Sequence, residues 1–225
     1  RPMHNNDDED LTYWRHRTPV GVKIEEISGG SRYSDRLWPI MARQIWSENG
    51  RDNEYRTIDH LPDGVPLLDG SHERISISHT RGMMVVATLP PTPEVNLEQY
   101  SPRAAMGVDT ERADRSISAE VRSRILTPAE QEIVPQHKTL LAWTCKEALY
   151  KAVMGQAKHW DSDYTITALP DPDKGTTGAA SVMLPGGSEV FILYSWLSEG
   201  FIITLALSAQ CATYKKTADK KGSDK

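Results

Sequence analysis

The sequence predicts an α+β protein made of two similar α/β modules related by pseudo-two-fold symmetry. Three observations lead there. Alternating or apolar runs bounded by turn residues recur in both halves, at 74–88 and 190–208. Each half also carries apolar residues at a helical period, over 34–47 and over 137–154. Between them, Pro90, Pro91, Pro93 and Pro102 make residues 89–103 a linker, because proline lacks the amide proton that a helix interior or a central strand needs. The expected units are residues 12–103 and 104–212, with polar tails at 1–11 and 213–225.

Taken in order, a strand is expected over 20–24, ended by Gly29 and Gly30. Leu37, Ile40, Met41, Ile45 and Trp46 predict the helix over 34–47, with Pro39 starting or kinking it. A short strand follows at 55–58, and Asp63-Gly64-Val65-Pro66 is turn chemistry. Residues 74–79 alternate, with Ile75 and Ile77 on one face and Ser76 and Ser78 on the other. Arg81-Gly82 turns the chain back into an apolar strand over 83–88. The second half opens with a strand over 104–110 and a helix over 118–126. Thr127-Pro128-Ala129-Glu130 is a capping box with proline at the first helical position. The helix over 137–154 should bury Leu141, Cys145, Ala148, Leu149 and Ala152 and end with Gly155 as its C′ residue. Strands are expected at 181–183, 190–196 and 201–208, the last two joined by a turn at Ser198-Glu199-Gly200.

Bulk properties exclude several functions. The 225-residue chain has 38% hydrophobic and 25% charged residues, ordinary values for a globular protein with a sizeable core. A net charge of −5 argues against a nucleic-acid surface, which is normally basic. The longest apolar run, 201–206, is far too short to cross a bilayer. Two cysteines, Cys145 and Cys211, are too few for a disulfide framework, and the seven histidines show no zinc-ligand spacing. The opening Arg1-Pro2-Met3-His4 carries no apolar core of the secretory kind. The expectation is a reduced, cytoplasmic, soluble protein without nucleic-acid or membrane partners.

The chemistry gathers between Met106 and Lys151. In a strand, residues two apart share a face, so Asp109 and Glu111 project together. Carboxylates about 7 Å apart repel by roughly 2 kcal/mol at an effective dielectric of about 20. A divalent cation would turn that repulsion into attraction, although a solvated face would tolerate the same pair. Glu147 and Lys151 stand four apart on the long helix and share a face, with Trp143 one turn earlier. Lys146 lies about 100° round from Glu147. Such a Glu–Lys pair, alone, also reads as a surface salt bridge. Together, three acids and two lysines suit magnesium-bound pyrophosphate, since magnesium takes one or two carboxylates and completes its octahedron with water and phosphate oxygens.

These residues carry a resemblance. Gly107-Val108-Asp109-Thr110-Glu111, followed by Trp143-Thr144-x-Lys146-Glu147-Ala148-x-x-Lys151, resembles the signature pair of the 4′-phosphopantetheinyl transferases. The arrangement is similar to the monomeric, surfactin-synthetase-activating type. Ser76-Ile77-Ser78-His79-Thr80 resembles a further motif of that type, and Gly64-Val65-Pro66 its Gly-Lys-Pro turn with valine in place of lysine. The likeness spans about residues 30–210. It implies transfer of the phosphopantetheine arm of coenzyme A to a serine of an apo acyl or peptidyl carrier protein, with coenzyme A bound between the halves. Magnesium, or manganese in its place, would be held by Asp109, Glu111 and Glu147. Glu147 is alternatively, or additionally, the base for the serine proton. Lys146 and Lys151 would contact phosphates, with Lys151 facing the leaving bisphosphate. Ser78, His79, Gly64, Pro66 and Arg36 (or Arg32) would hold the nucleotide end, and the role of Glu130 stays open. Ile133 and Val134 are a candidate docking surface for the carrier. A magnesium-dependent phosphohydrolase and a non-catalytic coenzyme A-binding domain are the competing readings.

Overall fold

The computed structural model describes residues 12–17, 22–29, 58–60, 66–68, 74–89 and 106–211. The architecture is α+β, with antiparallel sheets and few helices. In chain order, the first half contributes β1 (Thr12–Arg17), β2 (Lys23–Ser28), β3 (Ile58–His60), β4 (Pro66–Leu68), β5 (Arg74–Thr80) and β6 (Met83–Leu89). Four of these form a sheet in the order β1-β2-β6-β5, while β3 and β4 pair with each other. The second half contributes β7 (Met106–Arg112), three helices and then β8 (Tyr164–Ala168), β9 (Gly178–Leu184), β10 (Gly187–Ser198) and β11 (Phe201–Ser208). Its sheet runs β7-β11-β10-β9-β8.

Turn chemistry sets the hairpins. Gly82, at φ +96°, reverses β5 into β6. Glu199 at +48° and Gly200 at +81° form the two-residue loop between β10 and β11, where the strand twist demands positive φ at both positions.

The helices are α1 (Ala119–Ile125), α2 (Pro128–Ile133) and α3 (Thr139–Ala152), the last entered through a 3₁₀ turn at Gln136–Lys138. Ser118 caps α1 through the Val121 amide, and the predicted capping box of Thr127 and Glu130 opens α2. The five residues expected as the buried stripe of α3 are all buried. The helix ends at Ala152, two residues before the expected end, and its C′ position falls one residue early. Met154 is the C′ residue, at φ +54°, and Gly155 follows at +67°. The Gly155 amide reaches the Tyr150 carbonyl and the Met154 amide the Lys151 carbonyl, the two bonds of a Schellman motif.

Two apolar clusters flank the five-stranded sheet. One lies under the helices and includes Leu141, Cys145, Ala148, Leu149, Tyr164, Phe191 and Leu193. The other joins the two sheets through Ile24, Met83, Val85, Val108, Ile203 and Leu205. The seam between the sheets is polar at its edge. Ser76 Oγ accepts from the Val108 amide at 3.0 Å, and Ser78 Oγ from the Thr110 amide at 3.2 Å. The serines of the alternating strand are therefore buried, because their hydroxyls satisfy the open edge of β7.

Several expectations fall outside the described residues: the helix over 34–47, both tails and the linker at 89–103 except for Leu89, which ends β6 instead. Of the strand expected at 55–58, Ile58 opens β3, and 55–57 lie outside the described residues. Strands β1 and β8 carried no strong sequence signal, being short and polar-interrupted.

Gly107 fixes how α3 meets β7. A Cβ there would lie 2.1 Å from the Ala148 carbonyl oxygen and 2.4 Å from the Ala152 nitrogen. Gly107→Ala is expected to lower stability by about 3 kcal/mol, the upper range for overpacking, as read from urea denaturation. A wild-type midpoint for this variant would contradict direct seating of the helix on the strand.

Candidate active site

Strand parity and the Gly107 contact build the site together. Gly107, Asp109 and Glu111 share one face of β7, while Met106 and Val108 turn into the cluster between the sheets. With Ala148 and Ala152 against Gly107, the preceding residues Glu147 and Lys151 are carried to the Asp109 side of the contact.

Asp109 is nearly fully buried, at 5% exposure. Its Oδ1 accepts from Lys151 Nζ at 2.7 Å and from Ser78 Oγ at 2.9 Å. Lys151 Nζ also donates to Ser78 Oγ at 2.9 Å, closing a triangle that draws in β5, β7 and α3. Asp109 Oδ2 is buried with no hydrogen-bond partner. Glu111 is ion-paired with Arg115, whose guanidinium stacks 5.4 Å from the Trp143 ring centroid. The Trp143 indole favours the charged form of Glu111, but its N–H makes no hydrogen bond of ordinary geometry. Glu147 is half-buried and makes no hydrogen bond or ion pair among the described residues.

Electrostatics show that the three acids sense one another. Burial raises the Glu147 carboxyl above its ordinary value, and repulsion from Asp109 and Glu111 adds to this, against attraction from Lys151. Burial likewise raises Glu111, with Arg115 opposing and Asp109 reinforcing the shift. The cluster is thus short of positive charge.

Among the described residues, no three His, Cys, Asp or Glu side chains are drawn together as a metal-holding group. Lys151 and Arg115 occupy two of the carboxylates instead. The donor set nevertheless suits a hard cation. Asp109 Oδ2 lacks a partner, Glu147 lacks one too, and carboxylate oxygens are what magnesium takes.

Other predicted residues lie elsewhere. Lys146, expected at a phosphate, is fully buried and straddles both carboxylate oxygens of Glu130, at 2.9 and 3.0 Å. Its ammonium also donates to the carbonyls of Trp160, at 2.8 Å, and Tyr164. The physical reason is the 100° offset from Glu147, which turns Lys146 inward and leaves no proton for a ligand. Burial lowers its pKa, against the pull of Glu130. Glu130 completes the cap on Thr127 at 2.9 Å and accepts from the Ile166 amide at 2.7 Å, so it ties α2, α3 and β8 together. Ser78 faces Asp109 and Lys151, whereas His79, next along β5, is exposed. Pro66 opens β4, and Gly64, Arg32 and Arg36 lie outside the described residues. Of the candidate docking pair, Val134 is a core residue and Ile133 is 45% exposed.

Sequence reasoning missed Arg115, Trp160 and Arg122. Arg122 is buried and donates to Thr139 Oγ1 at 2.8 Å and to the Val134 carbonyl at 2.7 Å, bracing the corner between α1, α2 and α3. Trp160 stacks between Trp143, at 6.2 Å, and Tyr150, at 5.4 Å. Arg115 and Trp160 lie in irregular segments that offer no periodic signal, and Arg122 is a charged residue on the buried side of α1, where an apolar one is expected.

Residues 105–206 match the family model of the 4′-phosphopantetheinyl transferase superfamily. This segment, which holds β7, α3 and all four of Asp109, Glu111, Glu147 and Lys151, is similar to that superfamily. A search of curated proteins finds none that matches the chain. Among the described residues, no helix is long and apolar enough to cross a membrane.

The Lys146–Glu130 pair yields a test of structural role. Removing one partner strands a buried charge, so Lys146→Ala or Glu130→Ala should each cost about 3–5 kcal/mol. The double variant should cost less than the sum of the two. Additive urea midpoints would show that the ammonium and carboxylate do not interact.

Proposed function

We propose that this protein transfers the 4′-phosphopantetheine arm of coenzyme A to a serine of an apo acyl or peptidyl carrier protein, releasing adenosine 3′,5′-bisphosphate. The observation that carries the reading is the placement of Asp109, Glu111, Glu147 and Lys151 around one contact between β7 and α3, within the segment that matches the superfamily. The surfactin-synthetase-activating type, with coenzyme A between two pseudo-symmetric modules, belongs to the same proposal. So do a monomeric state and a cytoplasmic location.

Asp109, Glu111 and Glu147 would hold magnesium, or manganese. The metal would neutralise the diphosphate and polarise the phosphorus under attack. Glu147 is suited to take the proton of the carrier serine: no hydrogen bond engages its carboxylate, and burial, with Asp109 beside it, raises its basicity. As the serine oxygen bonds to the β-phosphorus, the bond from that phosphorus to the bridging oxygen breaks. The electron pair leaves with adenosine 3′,5′-bisphosphate. Lys151, 28% exposed at its side chain, is the cation available to that leaving group. Ser78 holds Asp109 and Lys151 in register, and His79 lies beyond it as a contact for the nucleotide end. Lys146 is assigned to the fold. Its three protons are already accepted, and freeing one would break the Glu130 pair.

Positioning dominates such a reaction, because little covalent chemistry is asked of the protein. The decisive experiment incubates the protein with coenzyme A, magnesium and an apo carrier protein and records the carrier's intact mass. A phosphopantetheine adduct supports the reading. Phosphate released from coenzyme A without a carrier would favour the hydrolase instead, and coenzyme A binding with no turnover would favour a binding domain. Asp109→Ala and Glu147→Gln should each lower transfer by ~10²–10³-fold while the chain still folds.

The raised carboxyls make a second prediction. The native state holds the Glu147 proton more tightly than the unfolded chain, whose glutamates titrate near about 4.3. Stability is therefore full below that pH and declines as pH rises toward the raised native value. Glu147→Gln should then stabilise the metal-free protein at pH ~7.5, by up to about 1 kcal/mol once solvent screening is counted. The gain should fade toward pH ~4, where the wild-type acid is protonated. Equal or lower stability of Glu147→Gln at neutral pH, by urea denaturation, would contradict the repulsion.

A further inference from the structure

Arg115 is held by more than its ion pair. The turn after β7 closes with the Arg115 amide on the Arg112 carbonyl at 3.0 Å, and the Ala113 amide bonds to the Gly200 carbonyl at 2.8 Å. Within the turn, Arg112 takes Asp114 through two contacts, at 3.0 and 2.5 Å. Asp114 is therefore occupied, and Arg115 is left to fold back on Glu111 while its guanidinium lies over Trp143. Glu111 is 15% exposed at its side chain and Arg115 43%, so the arginine covers a carboxylate that would otherwise face the cluster from its solvent side.

We propose that Arg115 is a resident counter-ion for Glu111 that a divalent cation must displace, making it a positioning residue that sets the affinity of the site for metal. The inference rests on the metal-holding role proposed above for Asp109, Glu111 and Glu147. In the metal-free protein the guanidinium offsets the repulsion within the cluster. When the metal arrives, Glu111 exchanges Arg115 for the cation, and the arginine leaves the Trp143 ring. Lys151 does not play the same part, because it is shared between Asp109 and Ser78 and has a second anchor on β5. The exposure of Arg115 lets it swing into water at little desolvation cost.

The test measures manganese binding to the whole chain by electron paramagnetic resonance, without coenzyme A or carrier. The proteins compared are wild type, Asp109→Ala, Arg115→Gln and Arg112→Gln. Arg112→Gln removes an equal charge one turn away that is committed to Asp114. The expected result is binding by wild type, loss in Asp109→Ala, and binding about three- to tenfold tighter in Arg115→Gln, with Arg112→Gln changed much less. Magnesium should also shift the tryptophan fluorescence of wild type, and this shift should shrink in both Trp143→Phe and Arg115→Gln. Unchanged or weaker binding by Arg115→Gln, with Asp109→Ala still defective, would overturn the role of Arg115 and leave the metal reading standing. Equal tightening in Arg112→Gln would reduce the effect to a general surface field and overturn it as well. A wild type that binds no manganese would remove the metal reading and this inference together.

Discussion

The backbone of α3 rests on β7 at Gly107, and the candidate site follows from that contact. No side chain separates helix from strand there, since the space a Cβ would fill already holds the Ala148 carbonyl and the Ala152 nitrogen. Small residues on both surfaces bring the two main chains close, and the residues beside them then have no freedom to sit apart. Strand parity puts Asp109 and Glu111 on the helix side, and helix periodicity puts Glu147 and Lys151 beside the two alanines. Four charged groups are thereby confined by backbone geometry, three of them carboxylates with Lys151 paired to Asp109.

The consequence is a locally unfavourable charge arrangement. Two lysine–carboxylate pairs on the same helix show the difference between structure and chemistry. Lys146 and Glu130 are closed: both are fully buried, every ammonium proton has an acceptor, and both carboxylate oxygens are occupied. Lys151 and Asp109 are open: the lysine reaches solvent, and one oxygen of the aspartate has no partner. A buried pair of the first kind holds elements together, and its removal strands a charge. A pair of the second kind keeps unsatisfied capacity, as a binding site requires.

The seam between the two sheets contributes to the same site. Ser76 and Ser78 satisfy the edge amides of β7, and the Ser78 hydroxyl in turn donates a hydrogen bond to Asp109. One residue thus joins the first half of the chain to the acid cluster of the second. The serines are buried for their hydrogen-bonding capacity, which an open strand edge makes valuable.

Much of this was legible in one dimension. The β5–β6 and β10–β11 hairpins, the capping box at Thr127, the buried stripe of α3 and the shared face of Asp109 and Glu111 all rest on local periods and turn chemistry, which depend only on neighbours in sequence. What could not be read were matters of which distant groups meet. Lys146 and Lys151 look alike in the sequence, yet a rotation of the helix sends one to Glu130 and the other to Asp109. Glu130 reads as a helix cap, and only the approach of β8 and α3 makes it a three-way tie. Arg115 is one more surface arginine until the turn closes over Glu111. The sequence alone determined the elements and the types of charge available to them, because backbone sterics and side-chain alternation act over a few residues. Tertiary structure decided which charges were neutralised and which were left wanting a partner, because burial and Coulomb energy depend on contacts between residues tens of positions apart.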